Sequence, residues 1–411
     1  MTRRLGGVFV MGLVVLAPAR IGLLAGAPPQ TAAPRASAPR AETPAPQAAT
    51  AEAVNAAIDQ LGVFDLDART RASRALRRAP AELAVPALSR AARSHKDSYV
   101  RYRALVLLTG FGDAQAAPVI RELAGDRDDR VRLVAYSWLG LHPDRSLLPK
   151  LVSALTTERS EFVRPALTRA VAAYGDDPDA RAAMLPLVTR GADLFRSAVI
   201  EALGDYHATY ALAAIGDVAK LDGPLQDEAV LALGKIGDAT TLGALSALQK
   251  SGPDDLQPSI AASVCLITRS CATQEDYLKR TLAFASARDG SATLLSRVAH
   301  ALASLAIADR QPPLETLFDA GATATDPARS VIAVSVGTVA LRNPSVMLAA
   351  LEARADRTAA LNLLREGFDL LSEEDFGQEH FFVAVREAAA SAPEGSKRRQ
   401  VASAIIDALE F

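Results

Sequence analysis

Along most of this chain, apolar positions recur at helical spacing and then break at short polar turns, on a period close to 31 residues. The clearest stretch is Leu225 to Leu248, LQDEAVLALGKIGDATTLGALSAL. Leu225, Ala229, Val230, Ala232 and Leu233 share one face of a helix, which predicts that this face is buried. Gly237 predicts the end of that helix, because a residue without Cβ takes the left-handed C-cap conformation cheaply. Asp238 predicts the N-cap of a following helix that buries Leu242, Leu245 and Leu248. Upstream, second helices are expected to open at Val100-Arg101, Val131-Arg132, Val163-Arg164 and Phe195-Arg196, separated by 31, 32 and 32 residues. Leu225 and Leu256 continue the series, with Gln226 and Gln257 where the arginine stood. Asp97, Asp128, Ser160 and Asp222 are expected caps. Gly112-Asp113, Gly175-Asp176, Gly204-Asp205 and Gly237-Asp238 are expected junctions between helices. A fixed period with two helices per unit predicts an all-α solenoid.

These residues resemble the short HEAT-like repeats named after phycobilisome lyases, whose pattern is roughly D-x-x-V-R-x-x-A-x-x-A-L-G-x-I-G-D. Residues 126–140 (DRDDRVRLVAYSWLG) and 225–238 (LQDEAVLALGKIGD) carry most of it, and the resemblance extends from about Ala81 to Ser270. It implies a bacterial, right-handed superhelix whose second helices line a concave binding surface, and the helix pairs read along the whole chain number about eleven. The function so implied is a non-enzymatic scaffold that binds a protein or peptide. The alternative is a lyase-like enzyme or bilin handler, and a closed apolar cavity with converging polar groups would distinguish it.

Three segments are expected. Residues 1–27 read as a targeting segment: Arg3 and Arg4 precede an uncharged run from Leu5 to Ala19, with Ala17-Pro18-Ala19 and Ala25-Gly26-Ala27 as candidate cleavage sites. This segment acts either as a cleaved signal or as an uncleaved inner-membrane anchor. Both place the body outside the cytoplasm, in the periplasm or at the cell surface. Residues 28–50 are rich in Ala and Pro and predict a disordered, extended linker. Residues 51–411 form the solenoid, with the clearest repeats in 81–271 and helix pairs of blurred period beyond Thr273.

Charge narrows the partner. Without its first 50 residues the chain holds 40 basic and 46 acidic residues, a balance that argues against nucleic acid. Membrane contact is expected only through an N-terminal anchor. In the first helix pair, Arg69, Arg71, Arg74, Arg77 and Arg78 read as the polar outer face of a capping repeat. In the last pair, Phe376, Phe381 and Phe382 lie between Glu373-Glu374-Asp375 and Lys397-Arg398-Arg399, and read as a cap that closes the core.

On the second helices, the positions two, three and six residues after the apolar anchor are expected to face the concave surface. Among them are Tyr102, Arg103, Arg169, Glu201, Asp227, Glu228 and Leu231. Tyr99, Tyr102, Arg103 and Val134, with Arg169 and Glu201, are the expected partner contacts, since Tyr and Arg dominate interface energetics. Arg101, Arg132, Arg164 and Arg196 form a ladder expected to tie neighbouring units together. Catalytic chemistry is not in view, because the chain has no G-x-S-x-G, no phosphate loop and no H-E-x-x-H. The five histidines fall in five repeats, so no metal or other cofactor is expected. Cys265 and Cys271 are the only cysteines, and an exported chain makes them a candidate disulfide. On one unbroken helix they would stand about 9 Å apart along the axis, so a bridge requires the helix to end near Thr268 to Ser270.

Overall fold

The expected alternation of helices and turns runs through the whole of the computed structural model, which describes residues 50–372 and 374–411. The targeting segment, residues 28–49 of the linker, and Glu373 lie outside the described residues. Among the described residues are eleven helix pairs and no strand. The first three pairs are α1 (Ala51–Gln60) with α2 (Leu66–Arg78), α3 (Ala81–Ser94) with α4 (Ser98–Thr109), and α5 (Asp113–Leu123) with α6 (Asp129–Leu141). The next three are α7 (Leu148–Thr157) with α8 (Val163–Ala172), α9 (Pro178–Met184) with α10 (Asp193–Asp205), and α11 (Leu212–Ala219) with α12 (Gln226–Ile236). Then come α13 (Leu242–Ser251) with α14 (Gln257–Thr268), α15 (Ala272–Ser286) with α16 (Ala292–Ile307), and α17 (Gln311–Thr323) with α18 (Ala328–Arg342). The last are α19 (Pro344–Ala353) with α20 (Thr358–Leu370) and α21 (Asp375–Ser391) with α22 (Lys397–Leu409). No single helix among them is long and apolar enough to cross a membrane.

The local signals act as the sequence suggests at most turns. Asp97 and Asp128 accept from the amides of Tyr99 and Arg130 at the starts of α4 and α6. Gly237 takes φ 80° at the end of α12, and Asp238 caps the 3-10 turn that leads into α13. Three expectations need correction. Ser160 and Asp222 do not cap, since α8 and α12 open on Phe162 and Leu225 without a side-chain cap. Gly204-Asp205 is not a junction either, because both residues lie inside α10.

Gly204 has a packing role instead. A Cβ there would stand 2.9 Å from the Cα of Ala232 in α12, and one on Gly234 would stand 2.5 Å from the Cα of Ser263 in α14. These glycines occupy the same place in successive repeats, nine residues after the apolar anchor. They let the second helices of the inner layer approach backbone to backbone, and a closely spaced inner layer curves the solenoid tightly.

The curvature is tight enough for the solenoid to meet itself. One apolar core runs from α1 into α14 and a second from α12 to the C-terminus, overlapping at α12 and α14. Phe376 of the last pair packs back against the first core. At the α14–α15 corner, α14 ends at Thr268 with Arg269 in the left-handed conformation. That break brings the Cα atoms of Cys265 and Cys271 to 4.6 Å, and the two residues are joined as a disulfide.

Candidate functional site

The second helices do face inward, but their inner surface is not free. Tyr102 donates its hydroxyl hydrogen to Asp375, at the start of α21, and Arg103 pairs with the same carboxylate. Burial, and then the Asp375 charge, push the Tyr102 hydroxyl above its ordinary range. Burial works against the Arg103 charge, yet Asp375 more than restores it. Tyr99 leans on Tyr102 and accepts from Arg69 at 3.1 Å. Val134 is buried in the first core. Arg169 binds Asp205 at 2.5 Å, and Glu201 accepts from Arg342 of α18 at 2.5 Å. The expected open partner surface at Tyr102, Arg103, Val134, Arg169 and Glu201 is therefore corrected. Those side chains line an inner face that the chain's own later repeats cover or that packing has already filled.

The two termini supply the rest of the closure. Glu379, one turn after Asp375 and fully buried, accepts from Arg77 of α2 at 2.7 Å and lies 3.3 Å from Arg386. Gly110 makes room for it, since a Cβ there would stand 2.5 Å from the Glu379 Oε1. Arg74 donates to the Glu410 carbonyl at 2.6 Å, and the Arg77 guanidinium lies 5.0 Å from the Phe382 ring centre. Arg74, Arg77 and Arg78 are thus the seat of the C-terminal helices, not the free outer face of a cap. Phe381 and Phe382 are buried, as expected, in an aromatic group with Phe368 and Phe411.

Deeper along the axis, charged groups from five second helices meet. Asp205 accepts from Arg169, from Arg342 at 2.6 Å and from Lys235 at 2.9 Å. Arg297 of α16 pairs with Asp255 at 2.9 Å and stands 3.7 Å from Asp227. Helices surround these groups, yet their side chains keep between 12% and 34% of their surface exposed, so they line a narrow polar axis that water reaches. Enclosure alone would raise the Asp205 carboxyl. Lys235, Arg342 and Arg169 overcome it and hold that group well below the usual carboxylate range. Glu228 has no such support. Its nearest cation, Lys235, is 4.0 Å away and its Oε1 has no hydrogen-bond partner, so burial pushes its carboxyl up to about 8. Burial likewise lowers His300 below the ordinary imidazole range.

Little reaction chemistry can be built from these parts. Among the described residues, one group of three metal-capable side chains converges, Cys265, Cys271 and Glu275, and the bridge already occupies both sulfurs. A cleft of about 670 Å³ lies on the outside between α5 and α7, lined by Arg121, Asp126, Arg132, Tyr136, Lys150 and Glu158. Of the arginine ladder, Arg132 reaches the next repeat through Glu158 at 2.7 Å, and Arg164 does so by stacking 3.6 Å over Phe195. Arg101 and Arg196 instead bind the carbonyls of His95 and Val188 within their own repeats. Sequence reasoning missed Asp205, Lys235, Arg342, Asp375 and Glu379. The only available signal was charge on the helices α10, α12, α18 and α21, and no repeat pattern pairs residues 137 or 273 positions apart.

Comparison with known proteins identifies a repeat type in part of the chain. The sequence pattern described as HEAT repeats matches residues 54–138 and 123–204. No curated protein matches the sequence. Among solved structures, the E. coli protein YibA is similar at 21% identity over 53% of this chain and 82% of its own, with a TM-score of 0.39. Human deoxyhypusine hydroxylase is similar at 19% identity, over 54% of this chain and 97% of its own, with a TM-score of 0.25. The complex of CpcE and CpcF of phycocyanin lyase from Nostoc is similar at 16% identity, over 82% of this chain and 100% of that one, with a TM-score of 0.25. None of these likenesses carries an argument about activity. HEAT repeats are thus matched over residues 54–204, in the half of the chain that receives the C-terminal helices.

Proposed function

We propose that this protein is a non-enzymatic interaction scaffold that works outside the cytoplasm and binds a protein partner through its repeat surfaces. The observation that carries this reading is that the inner face already holds a protein segment. The start of α21 lies on Tyr102 and Arg103 as a foreign helix would lie in a solenoid groove. A partner reaches the same face when the superhelix opens, or it uses the turn edge, where Phe162, Leu194 and Leu221 stand exposed in three successive repeats. The Cys265–Cys271 bridge supports a place in an oxidising compartment, as does the apolar run that begins at Leu5.

The test is crosslinking in the native cell envelope followed by purification of the full chain. A defined protein crosslinked to the inner face or the turn edge, from an envelope fraction in which both cysteines resist alkylation, is the expected result. Recovery of the chain from the cytoplasm with free thiols overturns the location. Co-purification of a small coloured ligand without any protein overturns the scaffold.

A further inference from the structure

We infer that the groove between α2 and α4 is a docking site for an acidic helix, and that residues 374–379 of the same chain occupy it in the closed form. This rests on the scaffold reading above and names the chemistry of its partner. Two receptor features are built for carboxylates one helical turn apart. Tyr102 and Arg103 hold the first, Asp375, and their side chains are largely withdrawn from water. Arg77 holds the second, Glu379, and the missing side chain at Gly110 leaves it room. Between them Phe376 turns onto the first core. The recognised pattern is thus a carboxylate, an aromatic residue directly after it, and a second carboxylate at i+4, which places both acids on one helix face.

Exchange of one acidic helix for another is chemically cheap here. Opening alone strands Arg103 and Arg77 without partners in a poorly solvated site, which is costly. An incoming helix with the same two carboxylates restores both pairs as it enters. The tethered segment competes at a high effective concentration, so the wild-type chain shows only the fraction of affinity that its open population allows.

The probe is a fluorescein-labelled peptide of residues 371–380, titrated into the full chain and followed by anisotropy. The double variant Asp375→Asn/Glu379→Gln weakens the resident segment and is expected to bind the peptide about ten-fold more tightly than wild type. Adding Arg103→Ala to that variant, or neutralising the same two acids in the peptide, should abolish the gain. A natively helical double variant that binds no better than wild type overturns the proposal, as does equal binding of charged and neutral peptides. If the double variant does not fold, Asp375→Asn alone is held to the same criteria. Envelope crosslinks confined to the turn edge, with no peptide binding, would remove the groove and leave the scaffold standing.

Discussion

At the scale of single residues, the inner face shows that an ion pair and a lone charge behave differently in the same surroundings. Asp205 has three cations and stays ionised, whereas Glu228, on the neighbouring helix α12, has one distant cation and holds its proton. A carboxyl raised in the folded state contributes stability below its unfolded value of 4.5, and that contribution is lost as pH rises through about 8. Glu228→Gln is therefore expected to equal wild type near pH 5 and exceed it at pH 8.5, by on the order of 2–4 kcal/mol. Urea unfolding of both proteins at the two pH values measures this, and parallel profiles would contradict it. Arg103→Ala should act in the opposite sense near neutral pH, costing about 3–5 kcal/mol because Asp375 is left with Tyr102 alone. The shift of its unfolding midpoint gives the measurement.

Among the helices, backbone approach controls curvature. At Gly234 a methyl group would meet the backbone of α14, which cannot swing aside. Gly234→Ala should destabilise by about 1–3 kcal/mol and enlarge the radius of gyration in solution scattering. Gly216 in α11 has open space around its Cβ position, so Gly216→Ala is expected to stabilise by about 0.5–1 kcal/mol without a change of shape. Equal effects of the two substitutions would show that helix propensity, not close approach, is the controlling term. The α14–α15 corner offers a separate handle. Its bridge closes a short loop, and Cys265→Ser/Cys271→Ser should cost about 2 kcal/mol, read from thermal melts with and without reductant.

On the scale of the whole molecule, closure couples segments that the chain separates by hundreds of residues. Arg342 joins α18 to α10, and Asp375 joins α21 to α4. Hydrogen exchange is therefore expected to protect α4 and α21 as one cooperative unit, although a linear array of repeats would open each locally. Arg342→Ala should raise exchange in α10 and α18 together, and an increase confined to α18 would argue against closure. The terminal repeats have a different task from that in an open solenoid. Usually they present a polar outer face to water, whereas here Arg74 and Arg77 meet Glu410 and Glu379.

The sequence by itself determined the class of fold, the helix pairs and the inward face of the second helices. Each of these depends on residues within one period, such as the Asp97 and Asp128 caps, the Gly237 turn and the spacing of Leu225, Ala229 and Leu233. It made the disulfide conditional on a helix end, which Arg269 supplies. Local pattern misled where a residue's neighbours come from another repeat. Gly204-Asp205 has the form of a junction, yet Ala232 sets the role of the glycine and Arg342 that of the acid. Whether the inner face is open or filled is a property of accumulated curvature. A small rotation per repeat, repeated eleven times, decides whether the last pair reaches the first, and no single period encodes that sum. Only the tertiary structure therefore showed that Tyr102 and Arg103, expected to await a partner, are held by Asp375 of the same chain.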